Sequence, residues 1–195
     1  MINKKCYDEL KLKYGNVSSW TIWSLPTTTP KSNTSDMSIF NNDVVNSLNN
    51  DYVFVGLNAS STHGDQGLDA WKNFHSDYRY QNDYKLRYAL MNTKYWGSYI
   101  TDVIKEYKEV DSSKVKKYLS SNQDVINHNI KIFEDEINIL SNDKIVLIAI
   151  GDYTYEILNS SLKDKYRIYK IPHYSSRINK EEYREKVLNI LNTID

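Results

Sequence analysis

Apolar and polar positions along the chain follow two periods, one typical of strands and one typical of helices. Four short apolar runs have strand character, and they cover Tyr52 to Leu57, Tyr99 to Ile104, Lys144 to Ile150 and Arg167 to Ile171. Because these runs are short and rich in β-branched and aromatic residues, they fit strands that are buried within a sheet. We therefore predict four strands.

Helical spacing of apolar residues occurs before, between and after these runs. The first segment predicts a short amphipathic helix that ends at Gly15. From Val125 to Leu140, apolar residues recur every three or four positions, which predicts a helix packed on a sheet. The polar residues off that stripe are Lys131, Glu134, Asp135 and Glu136. A last helix is predicted from Lys180 to Ile194.

Alternating strands and helices are typical of an α/β protein with a parallel sheet. The expected fold is a three-layer α/β sandwich with a central, mainly parallel four-stranded sheet. At 195 residues, the chain fits a single domain over 1–195. Residues 26–36 are rich in Pro, Thr, Ser and Asn and can bury little surface, so we expect a mobile loop there.

Composition narrows the classes of partner and compartment. Lys plus Arg and Asp plus Glu both total 25, so no global positive charge attracts nucleic acid or an anionic membrane. Cys6 is the single cysteine, which excludes an intrachain disulfide and fits a reducing compartment. The longest apolar run, Ile145 to Ile150, is too short to span a bilayer. We expect a cytoplasmic protein without a membrane partner.

Polar side chains lie near or directly after the carboxyl end of each predicted strand. Because the carboxyl ends of parallel strands meet at one edge of a sheet, ligand sites of α/β proteins collect there. The polar residues expected at this edge are Asn58, Ser60, Ser61, Asp102, Asp152, His173, Ser175, Ser176 and Arg177.

Three short motifs at these strand ends resemble those of the uracil-DNA glycosylase superfamily. They are GLNAS after the first strand, YITD on the second and PHYSSR after the last, and their order and spacing agree over residues 52–177. The resemblance implies a uracil-DNA glycosylase-like fold that recognises or hydrolytically excises an extruded uracil-like or modified nucleobase. It also implies DNA, single-stranded or locally opened, as the partner, and neither a metal nor an organic cofactor.

The resemblance assigns roles to individual residues. Asn58 matches the position that places the hydrolytic water, and His173 matches the histidine that hydrogen-bonds a carbonyl of the flipped base. Asp102 stands where the family reads the base edge with an Asn. The other base contacts that the resemblance implies are Gly56, Leu57, Ser175 and a stacking ring, for which we prefer Phe74 over Trp71. Arg177, with Ser176, is the expected DNA contact.

Two positions depart from the family pattern. An ionised Asp102 accepts hydrogen bonds but has no proton to donate to a carbonyl, so it suits a base that presents an amino group and a ring N–H. Burial that keeps Asp102 protonated would change this preference. Ala59 and Tyr174 stand where many members have prolines, which loosens both loops.

Other interpretations remain open at this stage. Asn58 and Asp102 fit as capping residues, His173 as a packed core histidine, and Trp71 with Phe74 as one buried helix face. The main alternative function is a non-catalytic binder of a modified base, a nucleotide or a protein partner. The pairs His63 with Asp65 and His75 with Asp77 lack a recognised ligand motif, so we expect no metal.

Overall fold

The computed structural model describes residues 1–41, 43–59, 69–76, 78 and 80–194. Its strands are β1 (Ser18–Trp20), β2 (Tyr52–Asn58), β3 (Tyr99–Ile104), β4 (Val146–Ile150) and β5 (Arg167–Ile171). Its α-helices are α1 (Lys4–Tyr14), α2 (Asp83–Leu90), α3 (Ser112–Ser120), α4 (Gln123–Asn138), α5 (Asp152–Leu162) and α6 (Lys180–Leu191). Two short 3₁₀ segments, Met37–Phe40 and Val44–Ser47, precede β2.

The strands form one sheet in the order β1-β3-β2-β4-β5. The neighbours from β3 to β5 are parallel, whereas β1 pairs antiparallel with β3, with Ser18 opposite Thr101. The general α/β sandwich is therefore confirmed. The prediction of four strands is wrong, because β1 adds a fifth and makes the sheet mixed. Its three residues, SSW, are too few to show a strand period in the sequence.

Helices cover both sides of the sheet. Side chains of a strand point alternately to its two faces, and they enter two separate apolar clusters. The cluster on the first side, which we call the α4 side, includes residues of α1, α3, α4 and α5. The cluster on the second side, which we call the α6 side, includes residues of α2 and α6. The burial of both faces explains why the strand runs are nearly continuously apolar.

The helices predicted from periodicity are present with shifted ends. α1 ends where predicted, and the Gly15 N–H closes its last turn on the Lys11 carbonyl. α4 begins and ends two residues before the predicted range, and α6 ends three residues before it. Such shifts are expected, since helix ends depend on local capping rather than on the apolar stripe.

A charged residue of α4 lies in the core, although it is off the apolar stripe of the sequence. Glu136 is fully buried on the α4 side, and its Oε1 accepts hydrogen bonds from the Tyr99 hydroxyl and from Thr101 Oγ1, both at 2.8 Å. Lys105 Nζ lies 2.5 Å from Glu136 Oε2 and also donates to the Asp102 carbonyl at 2.6 Å. The buried pair thus fastens α4 to the carboxyl end of β3.

The loop at 26–36 contacts α2 closely. Arg87 is buried, and its guanidinium donates to the carbonyls of Ser24, Ser32 and Pro30 at 2.7 to 2.9 Å. The mobility of this loop stays a prediction.

Candidate functional site

A glycine and a carboxyl group meet on the α6 side of the sheet, near the carboxyl ends of β2 and β3. Gly56 lies opposite Asp102 in the parallel register. A β-carbon built on Gly56 would lie 2.3 Å from Asp102 Oδ1 and 3.4 Å from Cε1 of Phe74. No side chain fits at that distance, so the absence of a side chain at residue 56 creates the space that the carboxyl group occupies.

A hydrogen bond to its second oxygen, Oδ2, fixes the carboxyl group of Asp102. Asn73 Nδ2 donates to Asp102 Oδ2 at 3.0 Å and to the Val17 carbonyl at 2.9 Å. The residue is 3 % exposed, and burial raises the pKa of Asp102 to about 7, against the lowering effects of Asn73 and Lys105. Near neutral pH, the protonated form, with one donor and one acceptor, therefore coexists with the ionised form, which only accepts.

Phe74, and not Trp71, lies beside Asp102. Phe74 is buried in the α6-side cluster, whereas Trp71 lies in the α4-side cluster and donates from Nε1 to the Tyr7 hydroxyl at 2.9 Å. The two residues do not form a helix face. Both have left-handed backbones, with φ of 66° for Phe74 and 70° for Trp71, which is uncommon for aromatic residues.

The loop after β5 fixes the state of His173. The Ser175 N–H donates to His173 Nδ1 at 3.0 Å, so in the neutral ring the proton is on Nε2. His173 is an exposed residue, yet protein surrounds its ring closely enough that desolvation lowers its pKa to about 4. The neutral ring presents a donor at neutral pH.

His173 lies close to a second glycine, Gly151, which directly follows β4. A β-carbon on Gly151 would be 3.6 Å from the His173 β-carbon, and Gly151 has a φ of 95° that other residues rarely adopt. The φ of Gly151 permits the turn into α5, whereas a β-carbon at this position would be in ordinary van der Waals contact with His173.

Two further groups, Asp83 and Tyr174, belong to the same region. Burial raises the pKa of Asp83 to about 6, and its Oδ2 accepts the Ser76 N–H at 2.9 Å. Burial, followed by the negative charges of Asp83 and Asp102, raises the pKa of Tyr174 well above its usual value. The sequence alone does not identify Asp83 as a residue of this region, because an acidic residue at a helix start is usually a capping residue.

The Asn58 side chain holds two segments of the main chain together. Its Nδ2 donates to the carbonyls of Glu109 at 2.9 Å, Tyr107 at 3.2 Å and Ala59 at 3.3 Å. The amide nitrogen thereby fastens the chain after β3 to the end of β2. The Oδ1 atom is the one that remains to hold a water molecule.

The remaining predicted residues are dispersed. Leu57 packs on the α4 side, away from Asp102. Ser175 contributes its backbone N–H, and Ser176 contributes its carbonyl, which accepts from Lys85 Nζ at 3.0 Å. Arg177 is exposed. The structure thus brings together Gly56, Asp102 and Phe74, with His173 at the same edge of the sheet.

Ser60 and Ser61 of the predicted edge lie outside the described residues, as do His63, Asp65 and Asp77 of the two His and Asp pairs. Within the described ranges, no group of three His, Cys, Asp or Glu residues is placed to hold a metal ion. His75 packs against the rings of Trp23 and Phe40, and burial lowers its pKa to about 3, which is typical of a core histidine.

Two cavities adjoin α2 and α6, and neither is lined by Asp102 or His173. No helix in the described part of the chain has the length and apolar character needed to cross a membrane. Comparison of the chain with family models, curated proteins and solved structures gives no match.

Proposed function

We propose that the region around Gly56, Asp102, Phe74 and His173 binds an extruded nucleobase and supports hydrolysis of its N-glycosidic bond. The observation that carries the proposal is the meeting of Asp102 and Phe74 over Gly56. A buried carboxyl group beside an aromatic ring offers edge recognition and stacking to a planar heterocycle. His173, on the following loop, adds a hydrogen-bond donor at the same edge of the sheet.

Each residue has a role in this proposal. Phe74 stacks on the base, Asp102 reads its edge, and His173 Nε2–H donates to a base carbonyl. Asn58 Oδ1 orients a water whose oxygen bonds to C1′ of the sugar. The C1′–N bond breaks, and its electron pair goes to the base, whose growing negative charge His173 stabilises. The attacking water loses one proton to solvent, and the departing base anion gains one.

Asp102 sets the base preference in a pH-dependent way. When protonated, its carboxyl donates one hydrogen bond and accepts another, as an Asn amide does, and it matches the carbonyl and N–H edge of uracil. When ionised, it matches an edge that presents an amino group and a ring N–H. With a pKa of about 7 for Asp102, preference for a uracil-like edge should grow as the pH falls below neutral.

We further propose that the chain is a divergent member of the uracil-DNA glycosylase superfamily. The support is the order of its motifs along the chain: GLNAS begins within β2, YITD forms the first four residues of β3, and PHYSSR directly follows β5. DNA with an unpaired or opened target nucleotide is the substrate of this proposal.

A second candidate function is base or nucleotide binding without hydrolysis. The state of Asn58 favours it, because the amide nitrogen is occupied by three main-chain carbonyls and an amide cannot take a proton from water at neutral pH. The base-reading residues would serve this function unchanged.

The test is an abasic-site cleavage assay on single- and double-stranded oligonucleotides that carry uracil, hypoxanthine, xanthine or modified cytosines, at pH 6 and pH 8. We expect base release that Asn58→Ala and His173→Ala each abolish and that Ser175→Ala retains. Absence of release across the panel, from folded protein, would reject hydrolysis. Saturable binding of the same bases in that case would support the second candidate.

A further inference from the structure

A groove with several cations runs beside α2 and α6, outside the region of Asp102 and His173. It consists of two adjoining cavities of about 320 and 390 Å³ that share Pro30, Tyr84 and Lys180 in their walls. We call it the basic groove. Its charged wall residues are four cations and one carboxylate: Lys31, Lys85, Arg87, Lys180 and Glu181.

Aromatic rings and ammonium groups alternate along the basic groove. Tyr84 and Tyr88 are one turn apart on α2, so both half-buried rings face the same direction. Lys31 Nζ lies 5.1 Å from the centre of the Tyr84 ring, and Lys180 Nζ lies 4.1 Å from that of Tyr88. This arrangement offers apolar ring edges beside positive charges.

Three cations in or beside the basic groove, Lys85, Arg87 and Arg184, form hydrogen bonds to main-chain carbonyls. Lys85 donates to the carbonyls of Ser176 and Ile178, at 3.0 and 2.8 Å. Arg87 binds carbonyls of the loop at 24–32, and Arg184 binds carbonyls at the end of α2. Among the described residues, no carboxylate lies within 4.0 Å of these three side chains, so a carbonyl dipole, and not an opposite charge, satisfies each of them.

Among the described residues, cations therefore outnumber acids in and beside the basic groove, although the whole chain is neutral. Glu181 forms an ion pair with Lys180, and Asp83 is the nearby buried acid, within reach of the Lys31 charge. The basic groove also adjoins the histidine loop, because Ile178 and Asn179 line it directly after Arg177. A chain of phosphates along the basic groove would lead to that loop.

We propose that the basic groove binds the phosphodiester backbone of a single-stranded nucleic acid and leads it to the His173 loop. Its ammonium groups contact phosphates, and Tyr84 and Tyr88 contact sugars and unpaired bases. The direction of the strand towards the loop rests on the proposed function, whereas binding of the strand does not.

The test uses anisotropy of a fluorescein-labelled, undamaged 12-nucleotide single strand with the full chain. Lys180→Glu should weaken binding roughly tenfold and reduce the slope of log K against log salt by about 0.7. Lys180 is in the first turn of α6, where a carboxylate suits the helix dipole, so folding should be retained. Lys180→Gln should show a smaller loss in the same direction.

Lys186→Glu is the matched control, because it makes the same charge change on the same helix, at a residue that pairs with Glu182 outside the basic groove. It should leave binding within about twofold, the scale expected of a distant charge. Equal losses for Lys180→Glu and Lys186→Glu would overturn the proposal, as would equally tight binding of a polyglutamate peptide.

His173→Ala separates this proposal from the proposed function. Strand binding that survives in this variant and falls with Lys180→Glu supports the basic groove, whether or not the protein releases any base. Base release that depends on His173 but is unaffected by Lys180→Glu, together with unchanged strand binding, would overturn the basic groove and leave the proposed function in place.

Discussion

Asp102 Oδ1 occupies the space that a side chain on Gly56 would need, since a β-carbon there would lie 2.3 Å away. The two residues belong to neighbouring parallel strands, so neither backbone can move without disturbing the sheet. The glycine and the carboxyl group are therefore mutually dependent.

Gly56→Ala should lower the free energy of unfolding by about 1 to 3 kcal/mol, because the added methyl group overpacks the space beside Asp102. Replacing Asp102 by Gly in the same protein should recover most of that loss. Urea unfolding of the two single variants and the double variant measures the coupling. Additive effects would show that the two residues do not share the space.

Asp102→Asn should gain stability over the natural protein as the pH rises. The unfolded chain ionises Asp102 near 3.8, and burial raises its folded pKa to about 7, so between these values the folded protein binds one more proton. Its stability then falls by about 1.4 kcal/mol per pH unit and levels off above pH 7. Asn has no such loss, which makes the difference roughly 4 kcal/mol at pH 8 and near zero at pH 4.

The difference between the two proteins is the quantity to measure. Asp83, with a raised pKa, also lowers stability as the pH rises, whereas His75, with a pKa lowered to about 3, has the opposite effect because it must gain a proton on unfolding below its usual range. Both contributions cancel in the comparison. A difference that stays constant from pH 4 to pH 8 would mean that Asp102 is ionised throughout.

His173 should remain a neutral ring with its proton on Nε2 down to about pH 5, since desolvation lowers its pKa to about 4. Nitrogen-15 NMR of the imidazole distinguishes this tautomer from the other one and from the cation. Ser175→Ala should give the same spectrum, because the backbone N–H of residue 175 is the donor to Nδ1. A cationic ring at pH 6 would contradict the proposed role.

Arg87→Met should release the loop at 24–32 from α2. The substitution removes three charge-assisted hydrogen bonds and leaves their carbonyls to find other donors, which should cost about 2 to 4 kcal/mol of stability. Hydrogen exchange should accelerate in the loop before global unfolding. Arg177→Met, at an exposed position, should change neither quantity.

β2, β3 and β4 could be predicted because their apolar runs report burial from both sides, whereas β5 is only partly buried and was predictable from its short run alone. β1 could not, since its buried serines look like loop residues and become strand only by pairing with β3. Glu136 lies off the apolar stripe of α4, and its burial could not be predicted for a similar reason. Its charge is satisfied by Lys105, Tyr99 and Thr101, which are distant in sequence.

The candidate site was predictable at the level of strand ends. Asp102 lies in the second half of β3 and His173 follows β5, and the parallel order brings the carboxyl ends of these strands to the same edge of the sheet. The residues that hold the site in place were not predictable from the sequence. Asn73 holds Asp102 through one side-chain hydrogen bond, and Ser175 holds His173 through one backbone hydrogen bond. The side on which Leu57 lies follows from the alternation along β2, whereas that of Trp71 depends on packing that no local pattern encodes.

The two edge strands of the sheet, β1 and β5, affect whether copies of this chain aggregate at high concentration. The segment at 71–73 packs against β1 and the residue before it, because Ser19 Oγ donates to the Trp71 carbonyl and Asn73 Nδ2 to the Val17 carbonyl. On β5, Arg167 and Lys170 are exposed charged residues within a five-residue strand. Short edges with side-chain bonds or positive charges are poor templates for strand addition. The fold therefore resists edge-to-edge aggregation, and concentrated samples should stay suitable for the NMR and binding measurements above.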